Sequence, residues 1–403
     1  MLLFLRFRMS WDFFNIFLLL ASAQGFFLAL LIFHKHGRLF ANRFLGSMLL
    51  FYSIILLNLF LGETGILYRY PLLLIIQFGL PFFIGPLHYL YARYLTHSYP
   101  RFQKYDWLHF LTFVIYEIYF ILRLGADSSA IMTAMQNFET AGLSSDSIIF
   151  NWLILLQGSI YLLLTLALLN TYSRRIKGVF SSLERVRLTW LRNITYLTLV
   201  VVLSFLMENL LLLAGINFSD YFSFTSFLAA AAVYTMGYMA LFKSEVFKRP
   251  EVANSISHMS TLPEQTPIQK DSVAVPKYQK SGLSPEKAQL YLQQLQQLME
   301  NGKVYTDSDL TLTQLAERLS ITPHNLSEVI NTRLQQNFFD FINTYRLEQV
   351  KKDLVDPAKK HLKILSMAFD AGFNSKAAFN TIFKKATQLT PSEYREKFLK
   401  DAQ

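Results

Sequence analysis

Asp309-Leu-Thr-Leu-Thr-Gln-Leu-Ala-Glu-Arg-Leu-Ser-Ile-Thr-Pro-His-Asn-Leu-Ser-Glu-Val-Ile-Asn331 reads as two short helices with a tight turn between them. Leu312, Leu315 and Leu319 recur at the spacing of one helix face, and Ala316 is small where a second helix must cross closely. Ser320-Ile321-Thr322 supplies the turn. Thr322-Pro323 then opens a second helix, a cap followed by a proline whose missing N–H costs nothing in a first turn. Leu326, Val329 and Ile330 point inward. This is the arrangement that lays its second helix in a DNA major groove, although many helical domains share it.

The pattern occurs twice. Ile364-Leu-Ser-Met-Ala-Phe-Asp-Ala-Gly-Phe-Asn-Ser-Lys-Ala-Ala-Phe-Asn-Thr-Ile-Phe-Lys-Lys385 has Ala368 at the crossing and Gly372 at a turn that requires positive φ. Phe373, Phe379 and Phe383 pack inward, while Lys376, Lys384 and Lys385 stay outside. Between the two units, Phe338 to Leu354 forms a connecting helix. Ser284-Pro285-Glu286 caps an amphipathic helix over 287–300 before them, and Thr390-Pro391-Ser-Glu-Tyr394-Arg395 opens a closing helix.

On these residues the stretch 284–403 resembles the AraC/XylS family of transcription regulators. The most specific motif is Ala368-Phe-Asp-Ala-Gly372-Phe373-Asn-Ser375, continued by Phe379, Phe383-Lys384-Lys385, Thr390-Pro391 and Tyr394-Arg395; Phe341-Ile-Asn-Thr-Tyr345-Arg346-Leu347 supports it. The resemblance covers under a third of the chain. The front half is similar to the membrane-embedded sensor regions attached to some bacterial members. Two positions depart from the family: Gln388 stands where a glycine is common, and Thr381 where an arginine is common. The first bears on the local turn, the second on base contacts.

Carried over by position, the resemblance implies that His324, Ser327 and Glu328 of the first reading helix face bases, with Asn331 and Arg333 nearer the backbone. In the second reading helix Ser375, Lys376, Ala377, Asn380 and Thr381 face the DNA, and Lys384 and Lys385 suit phosphates. Glu328 has the chemistry to accept from cytosine N4, and Lys376 to donate to guanine O6 or N7. The alternative for each is a solvated helix face. Lys and Arg only narrowly outnumber Asp and Glu over 284–403, so the domain is no broad polycation, and dimerisation or two adjacent sites would steepen its affinity.

Upstream of the domain, residues 249–283 turn polar, with Pro263, Pro267 and Pro276, and read as a flexible linker. Residues 1–248 have a different character. Of the 403 residues in the chain, 52% are hydrophobic and only 16% charged, against about 25% charged in ordinary globular proteins. The excess is concentrated in seven apolar runs, at 11–33, 41–62, 72–95, 107–124, 148–170, 191–214 and 222–242, each near the ~20 residues that cross a bilayer. The predicted fold class is therefore all-α: a seven-helix membrane bundle followed by a soluble domain with two helix-turn-helix units.

Orientation follows from the basic connections. Lys35 and Arg38, Arg101 and Lys104, then Arg174, Arg175, Lys177, Arg185 and Arg187, and finally Lys243, Lys248 and Arg249 follow the odd-numbered runs. The long opposite connection, 125–147, has acidic residues and no Lys or Arg. The positive-inside rule puts the N-terminus outside and everything after 242 in the cytoplasm. Arg6 and Arg8 disagree mildly, unless translation begins at Met9. A basic loop, and no small-residue cleavage site, follows the first run, which argues against a signal peptide.

Several polar residues fall inside these runs: Asn58, Gln77, Glu117, Arg123, Glu208 and Asn209. They form either an outward-facing sensory pocket or the polar ties by which membrane helices pack. His88, after Pro81 and Pro86, reads as structural.

The chain has no cysteine, which excludes disulfides, thiol catalysis and Cys-based zinc sites. Paired catalytic carboxylates, Gly-rich phosphate loops and metal-spaced histidines are missing from the soluble part, so no enzyme activity, cofactor or metal is expected. The reading is a one-component regulator in the bacterial cytoplasmic membrane. Its expected partners are double-stranded DNA, the lipid bilayer, a second copy of the chain and a small-molecule or membrane signal. The competing reading is a transporter or membrane enzyme with an autoregulatory DNA-binding tail.

Overall fold

The computed structural model describes residues 13–36, 39–64, 66, 79–97, 101–124, 145–184, 186, 188–216, 223–242 and 283–400. The expected linker lies almost wholly outside them. The chain divides into two compact units, one of Met1–Asn170 with Leu188–Asn254, the other of Thr171–Arg187 with Ser255–Gln403. Among the described residues the fold is all-helical, as expected; an isolated antiparallel bridge joins Phe180 and Thr311.

The first unit contains α1 (Phe13–Leu31), α2 (Phe40–Glu63), α3 (Pro81–Thr96), α4 (Leu111–Leu124), most of α5 (Ser145–Lys177), α6 (Thr189–Leu213) and α7 (Phe224–Phe242). Helix α1 packs on α2 and α7, α2 on α3, and α6 on α7. Small residues allow the closest approach: Ser22 Oγ of α1 donates to the Ser53 carbonyl of α2 at 2.8 Å, and Gly25 faces the same serine. Apolar side chains also cover much of the outer surface, including Phe13, Phe27 and Leu30 of α1 and Leu203, Met207 and Leu210 of α6.

Among the described residues four helices, Phe13–His34, Phe40–Gly62, Ile148–Lys177 and Thr189–Leu213, are long and apolar enough to cross a membrane. The other three runs coincide with α3, α4 and α7, whose described apolar parts are shorter. Part of the third run, 72–78, is outside the described residues.

The second unit holds α8 (Pro285–Gly302), α9 (Leu312–Arg318), α10 (Pro323–Arg333), α11 (Phe338–Val355), α12 (Ile364–Asp370), α13 (Lys376–Thr387) and α14 (Pro391–Lys400). Its apolar residues form two cores rather than one. Leu295, Met299, Leu312, Leu315, Ala316, Leu326 and Ile330 gather with Phe338, Phe341 and Ile342 from the start of α11. Met367, Ala368, Phe373, Phe379 and Phe383 gather with Leu347, Val350 and Leu354 from its end. One helix therefore serves two helix-turn-helix units.

Helix boundaries follow the capping chemistry. Ser284, Thr311, Thr322, Asn337 and Ser375 each accept from a backbone N–H in the first turn of the helix they precede, satisfying a donor with no partner inside the helix. Thr311 and Gln314 complete a reciprocal capping box. The crossings use Ala316 and Ala368, both fully buried. The turn at Gly372 has φ +96°. Gln388, in place of the family's glycine, takes φ +59° and ends α13 in the left-handed conformation, so the turn is kept with a strained residue in it.

Candidate nucleic-acid interface

Helix α13 shows the clearest outward face. Its buried side holds Phe379 and Phe383, which meet edge to face; Phe379 also makes a tilted contact with Phe373, and Phe383 an edge-to-face one with Tyr394. Lys376, Asn380 and Lys384 lie four residues apart in one exposed row, with Ala377, Thr381 and Lys385 in the adjoining row, also exposed. Thr381 Oγ1 donates to the Ala377 carbonyl at 2.8 Å. Ser375 caps the helix by accepting from Ala378 N–H at 3.2 Å and donates its own proton to Glu184 Oε1. Lys384 and Lys385 occupy the last turn, where cations complement the helix dipole.

Helix α10 presents His324, Ser327 and Asn331 along one half-buried row. Asn331 Nδ2 donates to Ser327 Oγ at 3.2 Å. Arg333 is exposed and reaches the Pro285 carbonyl at 3.3 Å. The expected exposure of Glu328 is corrected: the residue is only 7% exposed, with one carboxylate oxygen 4.0 Å from His324 Nδ1. It stands opposite Leu326 and Ile330 around the helix, as the period predicts. Periodicity fixes a direction about one axis, however, not what packs over that side.

Two arginines of the quoted motifs prove structural. Arg395 donates to the carbonyls of Leu362, Lys359 and Lys360, closing the connection between α11 and α12. Arg346 is buried. Its Nε donates to the Tyr305 carbonyl at 2.8 Å, Nη2 to the Asp307 carbonyl at 2.7 Å and to Ser181 Oγ at 3.1 Å, and Nη1 to the Ser181 carbonyl at 3.0 Å. Burial pulls its pKa down to about 10, with Asp307 and Asp309 opposing the shift, so it is cationic at neutral pH. Sequence reading missed Ser181 and Glu184, which carry no local motif and meet this domain across more than 160 residues of chain.

In the first unit, Glu208 Oε1 accepts from Thr225 N–H at 2.9 Å and Asn209 Oδ1 from Asn151 Nδ2 at 2.8 Å, each tying α6 to a neighbour. Asn58 is buried, Glu117 half-buried and Arg123 exposed; Gln77 lies outside the described residues. His88 Nε2 is 2.9 Å from Thr195 Oγ1, another helix-to-helix tie. Among the described residues no group of three or more His, Cys, Asp or Glu is arranged to hold a metal ion.

Residues 315–397 match the family model described as a helix-turn-helix domain. An HTH-type transcriptional regulator of Staphylococcus aureus (strain COL), uncharacterized, is 32% identical over 99 residues, or 25% of this chain and 13% of the relative. Another, from Bacillus subtilis (strain 168), is 28% identical over 90 residues, covering 22% and 11%. The solved C-terminal domain of AraT, a response regulator from Geobacillus stearothermophilus, is 32% identical, with a TM-score of 0.24 over 29% of this chain and 88% of that one. The chain thus spans 13% of the length of the first curated relative it matches. Fold and capping define a double helix-turn-helix domain. That domain, at the C-terminus of this chain, is AraC-type.

Proposed function

We propose that this chain is a membrane-anchored one-component transcription regulator, reading promoter DNA through α10 and α13 and receiving its signal through the apolar helices of the first unit. The observation that carries the DNA-reading part is α13: a capped, 12-residue helix with an exposed row of Lys376, Asn380 and Lys384 in an AraC-type domain. Its row can contact base edges from the major groove, while Lys384 and Lys385 neutralise phosphates. Helix α10 would enter the next face of the groove, about 34 Å along. Four helices of membrane-crossing length support anchoring, and the basic connections support a cytoplasmic C-terminal domain with the N-terminus outside.

The signal must bind two states of the first unit unequally. Among the described residues Glu117 has one buried carboxylate oxygen with no hydrogen-bond partner, so a ligand or proton satisfying it would act there. The test is DNA binding by the full chain in lipid nanodiscs. Duplexes enriched from a randomised library are compared with scrambled sequence at several salt concentrations. Preference for one sequence that persists as salt rises supports the function. Equal binding that vanishes with salt defeats sequence reading and leaves a phosphate-binding tail.

A further inference from the structure

Residues 171–187 fold as part of the DNA-binding unit, although the sequence places them between α5 and α6. The segment after α5 lies along the start of α9: Leu312 N–H donates to the Val179 carbonyl at 2.9 Å and Ser181 N–H to the Leu310 carbonyl at 3.2 Å, around the Phe180–Thr311 bridge. Val179 and Ser181 are buried there. The Ser181 carbonyl takes Asn343 Nδ2 at 3.2 Å and Arg346 Nη1 at 3.0 Å, and its hydroxyl takes Arg346 Nη2. Three residues on, Glu184 accepts a hydrogen bond from the hydroxyl of Ser375, the cap of the second reading helix.

We propose that residues 178–184 are an autoinhibitory strap, which holds the domain off DNA by placing the Glu184 carboxylate at the start of α13 where a DNA phosphate would bind. The inference rests on the DNA-reading function above. A helix N-terminus offers unpaired N–H groups and partial positive charge to one anion, and two anions at hydrogen-bond distance repel. The strap is built to detach. When it leaves, Arg346 retains the Tyr305 and Asp307 carbonyls, and Leu312 N–H is a first-turn donor that water can satisfy. The cores beneath it, built from α8 to α13, remain closed.

The test uses the full chain in lipid nanodiscs. Wild type and Glu184→Ala each enrich DNA from a randomised library, and affinities are then measured at fixed salt beside Glu300→Ala, which removes an exposed carboxylate elsewhere in the domain. Glu184→Ala is expected to bind about tenfold tighter than wild type, the scale of one charge-assisted hydrogen bond, with Glu300→Ala unchanged. Hydrogen exchange gives a second readout: the Ser181 and Leu312 amides are protected without DNA and lose protection at saturating DNA. Equal affinities, an equal gain in both variants, or protection that DNA leaves untouched would overturn the strap. Failure of both chains to enrich any sequence would defeat the DNA-reading function itself.

Discussion

Gly372 lies so close to the Tyr305 carbonyl that a β-carbon at 372 would overlap it, and would stand 2.9 Å from both Arg346 Nε and Thr306 Cα. Arg346 Nε donates to that same carbonyl. The turn of the second helix-turn-helix unit is therefore pressed against backbone beside the first, with a buried cation holding the contact. Gly372→Ala combines a left-handed backbone with steric overlap and is expected to destabilise the domain by on the order of 3 kcal/mol. Pulse proteolysis of the full chain in urea measures this; a loss below about 1 kcal/mol would mean that the contact is loose.

Gln388 gives a prediction of opposite sign. At φ +59° a glycine pays no β-carbon penalty, so Gln388→Gly is expected to stabilise the domain by about 1 kcal/mol. DNA affinity should be unchanged. The same proteolysis assay reads it, and a destabilised variant would show that the glutamine side chain contributes more than its backbone strain costs.

Arg346 cannot be replaced by lysine without loss. A guanidinium has a planar fork that reaches Tyr305, Asp307 and Ser181 together, which one ammonium cannot match. Arg346→Lys is expected to cost on the order of 2 kcal/mol through carbonyls left unsatisfied. Urea unfolding checks it, and wild-type stability in the lysine variant would be the contrary result.

Lys384 and Lys385 are assigned to phosphates, so Lys384→Ala with Lys385→Ala should weaken binding to all sequences alike. The slope of log affinity against log salt should fall by about 2. Asn380→Ala should instead relax preference at particular base pairs, measured by library enrichment. A sequence-selective effect of the lysine pair would reverse the assignment.

Glu393 predicts a pH dependence. Its carboxylate accepts from Thr390 N–H at 2.7 Å, a bond that holds its pKa below the usual range. A depressed carboxylate pKa contributes stability above the unfolded value, lost as pH falls through the folded one. The Tm gap between wild type and Glu393→Gln should therefore be present at pH 7 and close below about pH 4. A gap independent of pH would point to the amide's geometry rather than charge.

Much of the helix-turn-helix unit was legible because its signals are local. Caps at Ser284 and Thr322, small crossings at Ala316 and Ala368 and the turn at Gly372 are all set within a few residues, where steric and hydrogen-bond rules act directly. Gln388 was legible as a departure, but its left-handed backbone was not, since that conformation is imposed by the chain on both sides. Glu328 was misplaced because a helical wheel contains no information about neighbouring elements. Ser181 and Glu184 were invisible for a related reason: their partners are more than 160 residues away, and neither belongs to a motif. In the first unit, apolar length revealed helices, while the ties of Glu208 to Thr225 and of Asn209 to Asn151 needed coordinates.

The Phe180–Thr311 bridge joins two parts of a single polypeptide, and this sets how the strap competes with DNA. A covalently joined competitor has an effective concentration fixed by its connection, commonly in the millimolar range, whatever the number of molecules in the cell. Making more protein raises the number of DNA readers and of straps in equal measure. The fraction of chains open to DNA then depends on the signal and the DNA, and is buffered against copy number.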